Sequence, residues 1–119
     1  MLQTYHQNFE VLIVEDGSEH NSESIVQSFQ TPFSNRGIDL RYFLKQNTGA
    51  GMSRNYGMQE ATGDYFIILD SDIIVPDKYL EIVDQTLTLN YTDTFGGPDA
   101  AHESFTDVQK AINYAMTSF

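Results

Sequence analysis

Two short apolar runs in the first half of the chain are separated by a helical pattern. The run at residues 10–14 is typical of a buried parallel strand, and the run at 40–44, interrupted by Arg41, predicts a second strand. Between them, apolar residues recur at helical spacing. They predict a helix that begins near residues 21–22 and ends around Pro32 and a turn at 35–37.

The middle of the chain continues the alternation of helices and strands. A helix is expected over 49–61, and the apolar run at 65–69 predicts a third strand. Gly51 and Gly57 weaken that helix, but a glycine also allows close backbone approach. A helix opening at Pro76 follows, and its inner stripe is Leu80, Val83 and Leu87.

The last thirty residues read as a loop and a final helix. Residues 90–104 have loop character, with a short strand at 94–95 before strong turn residues. Thr106 and Gln109 form a capping box that starts the last helix. Its apolar side carries Phe105, Val108, Ile112, Ala115 or Met116, and Phe119.

Strands that alternate with helices predict an α/β protein, with a mainly parallel sheet in a three-layer arrangement. In such sheets, ligands bind beyond the carboxyl ends of the strands. Asp16 and Asp70 come at the ends of the first and third predicted strands. Two acidic strand ends on one rim predict a site there.

Asp70 and Asp72 are separated by one residue, directly after the predicted strand 65–69. Residues two apart in an extended chain point to the same side, so two carboxylates would face one way. Mg²⁺ and Mn²⁺ take one or two protein carboxylates and fill their other positions with water and phosphate oxygens. The pair therefore predicts a site for a divalent cation that carries a diphosphate.

Charge and composition narrow the choice of partner. The 119 residues are long enough for one domain or part of one, and six basic against seventeen acidic residues give a formal net charge of −11. This charge repels nucleic acid, so no nucleic-acid partner is expected. A diphosphate remains compatible if a metal neutralises it locally. The absence of cysteine excludes disulfides and thiol chemistry.

The hydrophobic pattern also bears on location. No apolar stretch approaches the roughly 20 residues that cross a bilayer, so no transmembrane segment is expected. The first residues lack the basic and apolar segments of a secretory signal. A cytoplasmic location is the default expectation, and the inner face of a membrane is compatible with it.

Four segments together resemble the glycosyltransferase family 2 domain of the GT-A fold. They are Val14-Glu15-Asp16-Gly17-Ser18, Gln46-Asn47-Thr48-Gly49, Ser53-Arg54-Asn55-Tyr56-Gly57 and Gly63 through Asp72. Their order, spacing and strand or loop context agree over residues 9–83. The resemblance identifies residues 1–119 as a single partial domain, with a nucleotide-sugar-binding core at 9–83 and the start of an acceptor-side region at 90–119.

The resemblance implies an inverting, metal-dependent transfer from a nucleotide-diphosphate sugar to a hydroxyl of a saccharide or lipid-linked acceptor. Asp16 would contact the base, and the loop that begins at Asn47 would lie against the donor. Arg54 would offer a planar cation to the phosphates or the acidic pair. Asp70 would face the ribose, and Asp72, with Asp70, would bind Mg²⁺ or Mn²⁺.

Two features of the family pattern are absent from the sequence. The general base of this family usually lies many tens of residues beyond the acidic pair, and 47 residues follow Asp72. The nearby candidates for this general base are Asp99, His102 and Glu103. The first strand and most of the first helix also precede Gln3 in the family pattern. The expectation is a fragment that forms homo-oligomers through exposed strand edges.

Three other interpretations remain open. A phospho-receiver domain would use Asp16 and Asp70, but their interval is too long by about a turn and a half of helix. A haloacid-dehalogenase-type phosphatase would use Asp70 and Asp72, but it needs later lysine and aspartate motifs. A truncated, non-catalytic domain would keep the fold and serve only as an interaction surface.

Overall fold

The computed structural model describes residues 3–97, 100–101 and 104–117. In order, the elements are β1 (Glu10–Asp16), α1 (Glu23–Ser34), β2 (Asp39–Lys45), α2 (Ala50–Glu60), α3 (Tyr79–Leu89) and α4 (Asp107–Thr117). The chain divides into two compact units, Met1–Leu80 and Glu81–Phe119. The boundaries predicted from the sequence, at 9–83 and 90–119, stay a prediction.

The first unit is built on a parallel pair of strands. β1 and β2 pair in register from Glu10 opposite Asp39 to Asp16 opposite Lys45. α1 connects the two strands and contacts β2, while α2 contacts β1. This strand, helix, strand, helix order confirms the predicted α/β class with a parallel sheet, and it is consistent with the part of a GT-A fold that the resemblance implies.

The core of the first unit is small and lies where the helices meet the sheet. Val26 of α1 is buried together with Ile38 and Leu40 at the start of β2. On the other strand, a methyl group placed on Gly57 of α2 would lie 3.4 Å from Cγ2 of Val14. α2 therefore lies close to β1 at Gly57, where an added methyl group would just reach van der Waals contact with Val14.

The predicted strand at 65–69 is wrong. These residues have no strand conformation, and the described sheet has two strands only. A strand needs a neighbour that completes its hydrogen bonds, and an apolar run alone does not supply one. Phe66, Ile68 and Leu69 are accordingly about half exposed. The short strand predicted at 94–95 is also absent.

The helices agree more closely with the sequence pattern. α1 continues through Pro32 to Ser34 instead of breaking at the proline, because only two helical residues follow it. The predicted inner stripe of α3 (Leu80, Val83 and Leu87) is half-buried. The capping box of α4 is confirmed, since the Thr106 N–H donates to Oε1 of Gln109 at 2.9 Å.

The apolar side predicted for α4 is largely solvent-exposed where it is described. Val108 is 70% exposed and Ile112 is 55% exposed. The side chain of Met116 and the whole of Phe119 lie outside the described residues. Among the described residues, no helix is both long enough and apolar enough to cross a membrane.

Glu10 joins the start of β1 to the loop that follows α2. Its Oε1 accepts hydrogen bonds from the N–H of Thr62 at 2.6 Å and of Gly63 at 3.0 Å, and its Oε2 pairs with Arg41 of β2. Burial raises the pKa of Glu10. The Thr62 N–H, the Arg41 guanidinium and the remaining donors outweigh burial and lower the pKa to about 2.

The depressed pKa of Glu10 predicts a loss of stability in acid. The unfolded carboxyl, with its ordinary pKa of 4.5, takes up a proton before the folded one. The contribution of the Glu10 carboxylate to the free energy of unfolding is therefore complete above pH 4.5 and is lost as the pH falls toward 2.

Glu10→Gln is expected to lower the free energy of unfolding by about 2 kcal/mol at neutral pH. It should also lose less stability than the wild type on acidification, as measured by urea unfolding. Exposed Glu19→Gln is the control, and an acid loss as large in Glu10→Gln as in the wild type would contradict the assignment.

Candidate functional site

The carboxyl ends of β1 and β2 meet at one edge of the sheet, because the strands are parallel and in register. β1 ends at Asp16 and β2 ends at Lys45, and these two residues are paired across the strands. Their side chains form an ion pair, with Nζ of Lys45 donating to Oδ1 of Asp16. A cation from one strand and an anion from the other therefore mark the predicted rim.

Asp16 holds the loop that leads into α2. Its Oδ1 accepts the N–H of Thr48 at 2.9 Å, and its Oδ2 accepts the N–H of Gly49 at 2.7 Å. Gly49 immediately precedes α2, so the carboxylate lies at the helix end that favours negative charge. The Lys45 ammonium, followed by these backbone donors, lowers the pKa of Asp16 to about 2.

Lys45 fixes the same loop from the β2 side. Its Nζ donates to Oγ1 of Thr48 at 2.6 Å and to the Gln46 carbonyl at 3.0 Å. It also donates to Oγ of Ser53 in α2 at 3.2 Å. The ammonium thus has four oxygen partners, and these contacts fix the shape of the 46–49 loop.

An open cleft of ≈ 550 Å³ lies beside this loop. Its lining residues come from the loop after β1 and the end of β2: Gly17, Ser18, Leu44, Lys45, Gln46 and Asn47. Gly17 has a φ of 72°, and a methyl group built on it would lie 2.6 Å from the backbone nitrogen of Asn47. The loop after β1 and the loop after β2 therefore touch at Gly17, a position that only glycine fits.

Arg54 joins α2 to the acidic segment. Its Nη2 lies 2.9 Å from Oδ1 of Asp70, and both side chains are substantially exposed. An exposed pair of this kind contributes about 0–1 kcal/mol, so it orients the two groups more than it stabilises the fold. Ser53, the preceding residue of α2, accepts a hydrogen bond from Lys45, the partner of Asp16, so α2 contacts both the rim and the acidic segment.

Asp70 and Asp72 do not leave a strand as predicted. Ser71 and Asp72 form a turn, in which the N–H of Ile73 donates to the Asp70 carbonyl at 3.3 Å. The strand argument for a shared orientation therefore does not apply. Within the described ranges, no three His, Cys, Asp or Glu residues are grouped to hold a metal. Two exposed carboxylates still suit Mg²⁺ or Mn²⁺ when diphosphate and water complete the coordination.

The candidate base cannot be placed in the fold. Asp99, His102 and Glu103 all lie outside the described residues. The roles predicted for Asp16, Asn47, Arg54, Asp70 and Asp72 stay predictions.

Sequence reasoning missed three residues around the rim, Lys45, Glu15 and Tyr42. Lys45 pairs with Asp16, while Tyr42 donates to Glu15. The signal available was the adjacency of charged and polar residues at the ends of two predicted parallel strands. Their register, which pairs residue 16 with 45, could not be read from the spacing alone.

Comparison with known proteins shows the family to which the chain belongs. The family described as "Glycosyl transferase family 2" matches residues 1–117, so the chain belongs to that glycosyltransferase family. The chain is 36% identical over 108 residues to an uncharacterised glycosyltransferase of Rickettsia conorii. It is 39% identical over 84 residues to the glycosyltransferase GlyG of Streptococcus pneumoniae. No solved structure matches the chain.

The chain spans a small part of these relatives. The Rickettsia match covers 87% of this chain and 17% of the relative, and the GlyG match covers 70% and 26%. A third relative, the minor teichoic acid biosynthesis protein GgaB of Bacillus subtilis, is 33% identical over 73% of this chain and 9% of its own length. These matches favour the glycosyltransferase interpretation over the phospho-receiver alternative.

Proposed function

We propose that this chain binds a nucleotide-diphosphate sugar and supplies the donor side of an inverting glycosyltransferase. The sugar would pass to a hydroxyl of a saccharide or lipid-linked acceptor. The observation that carries the proposal is the open cleft at the joint carboxyl ends of β1 and β2, beside a loop held by Asp16 and Lys45. Ligands of parallel α/β proteins bind at this end of the sheet.

The base and ribose are assigned to the cleft side. Asn47 lines the cleft, and Asp16 lies directly behind the same loop. In this assignment Asp16 acts on the base through the loop that it holds, which forms the wall against which the nucleotide lies. A site whose walls are held before binding loses less entropy when the ligand enters.

The diphosphate is assigned to Arg54 and the acidic turn. Asp72, with Asp70, would hold Mg²⁺ or Mn²⁺, which stabilises the negative charge that develops on the leaving diphosphate. Arg54 already contacts Asp70, and its planar guanidinium suits phosphate oxygens. Lys45 and Arg54 flank this region, and each is paired with an aspartate, so in this assignment the divalent cation supplies the positive charge that an anionic donor needs.

A thermal-shift experiment tests the proposal. Uridine, guanosine and thymidine diphosphates are added in turn, with Mn²⁺ or with EDTA. One of them is expected to raise Tm with Mn²⁺ and to have a much smaller effect with EDTA. At a ligand concentration of one hundred times Kd, the expected stabilisation is about 2.7 kcal/mol.

The remaining outcomes separate the other interpretations. No shift with any of the three nucleotides would contradict a working donor site and favour a domain used only for interaction. Stable labelling of Asp70 by acetyl phosphate would instead indicate a phospho-receiver. With the corresponding nucleotide-diphosphate sugar as donor, transfer of the sugar to water or an added saccharide with release of the nucleoside diphosphate would extend the proposal from binding to catalysis.

A further inference from the structure

Glu15 and Tyr42 form a hydrogen-bonded pair just behind the cleft. Glu15, the last residue but one of β1, is only 9% exposed. Its Oε2 accepts the hydroxyl of Tyr42, in β2, at 2.6 Å. The same oxygen accepts the N–H of Ser22 at 2.8 Å. One buried carboxylate therefore joins β1, β2 and the residue that precedes α1.

These contacts close the loop between β1 and α1 at both ends. The loop leaves β1 directly after Asp16 and enters α1 at Glu23. Its first two residues, Gly17 and Ser18, line the cleft. Glu15 holds the far end of this loop through Ser22, and the near end continues directly from β1, so both ends of the loop are fixed at the sheet.

The charge state of the pair suits this role. The Tyr42 hydroxyl, followed by the Ser22 N–H, lowers the pKa of Glu15, and the hydroxyls of Ser18 and Ser22 act in the same direction. The Glu15 carboxylate raises the pKa of Tyr42 to about 12. At neutral pH the carboxylate is therefore an acceptor and the phenol a donor.

Stability alone does not account for a carboxylate at this position. The other oxygen of Glu15, Oε1, is buried and has no hydrogen-bond partner among the described residues. An unpaired buried oxygen on a charged group is costly, and an apolar side chain on β1 would avoid that cost. The network therefore has one costly oxygen, but through the other it fixes β1, β2 and the start of α1 relative to one another, which suits a positioning role.

We infer that Glu15 and Tyr42 are positioning residues that hold the 17–22 loop against the cleft and so tighten binding of the nucleotide part of the donor. The inference rests on the proposed function, because it assigns a cause to the affinity of the same cleft. Neither residue contacts the ligand in this assignment. Their effect passes through Ser22 and the loop to Gly17 and Ser18.

The test compares four variants by direct titration of the nucleoside diphosphate that stabilises the wild type, well below the Tm of every variant. Glu15→Ala removes the carboxylate that holds Ser22, and Tyr42→Phe removes the hydroxyl that holds this carboxylate in place, so each is expected to raise Kd about tenfold. Glu15→Gln keeps an acceptor oxygen for both donors and should restore Kd to within about twofold of the wild type. Tyr114→Phe, at a 74% exposed tyrosine, is the matched control and should leave Kd unchanged.

A double variant and amide exchange complete the experiment. Glu15→Ala with Tyr42→Phe should bind no more weakly than Glu15→Ala alone, because both changes remove one anchor. Amide hydrogen exchange at residues 18–22 should accelerate in Tyr42→Phe and not in Tyr114→Phe. Tyr42→Phe keeps the ring, so it answers the question even if Glu15→Ala does not fold.

The failure of the inference is distinct from the failure of the proposed function. A wild type that binds no nucleoside diphosphate overturns both. A wild type that binds, together with Tyr42→Phe that binds equally well but melts at a lower temperature, overturns only the inference. Failure of Glu15→Gln to restore Kd overturns it as well, because the hydrogen bonds would then not be the cause.

Discussion

Replacement of Gly17 by alanine is expected to lower the free energy of unfolding by about 3 kcal/mol. Two causes add at this position. The φ of 72° strains any residue with a side chain, and the new methyl group would lie 2.6 Å from the backbone nitrogen of Asn47. Relief of that overlap requires the loop after β1 or the loop after β2 to move, so the cleft should also lose nucleotide affinity.

Gly37 provides a matched control for this change. Its φ is 71°, almost the same as that of Gly17, but nothing lies within 4 Å of a methyl group placed there. Gly37→Ala should therefore cost only the backbone strain, about 1–2 kcal/mol. Urea unfolding of the two variants measures the difference, which is the contribution of the contact with Asn47. Equal losses in both variants would show that the loops do not touch as described.

The second large effect is expected at the acidic turn. Asp72→Asn should abolish the part of the nucleotide-induced stabilisation that depends on Mn²⁺, because an amide is a much weaker ligand for a hard cation than a carboxylate. At a nucleotide concentration that stabilises the wild type by about 2.7 kcal/mol, the variant with Mn²⁺ should resemble the wild type with EDTA. Thermal shift and calorimetric titration measure this directly.

Two further aspartates make the test specific. Asp84→Asn, at an exposed residue of α3, makes the same change in charge and should leave the Mn²⁺ effect intact. Asp70→Asn should weaken binding and also disturb Arg54, because its carboxylate is paired with that guanidinium. Full Mn²⁺ dependence in Asp72→Asn would assign the metal to other ligands.

Much of the fold of the first unit could be predicted from the sequence. The apolar runs placed β1 and β2 to within a few residues of their observed bounds, Glu10–Asp16 and Asp39–Lys45. The helical spacing of apolar residues, together with glycine and proline near the helix ends, located the helices. These signals are local, because each element carries its own pattern of burial and its own end residues.

The failure at 65–69 has a different origin. An apolar run shows that a segment is suited to burial, but strand formation depends on a neighbour elsewhere in the chain. The described sheet contains only β1 and β2, and this segment accordingly has no strand conformation. Pairing is a property of two segments, and a pattern in one of them does not determine it.

The residues of the candidate site could likewise be predicted only in part. The resemblance picked out Asp16, Arg54 and Asp70, and the structure gives each a defined partner. Lys45 and the Glu15 and Tyr42 pair went unnoticed, because their importance arises from cross-strand register and from a loop that returns to the sheet. The cross-strand contacts join residues 27 to 29 positions apart, the loop contact joins residues 7 apart, and none of them leaves a periodic signal.

The pairing of Asp16 with Lys45 also limits how this rim can change over evolutionary time. The carboxylate has a lysine partner and two backbone partners, while the lysine has four oxygen partners, so loss of either residue leaves the other, partly buried charge without its counter-ion. A neutral replacement at one position is best tolerated after, or together with, a replacement at the other. The two positions are therefore expected to vary as a pair among related sequences, although 29 residues separate them in the chain.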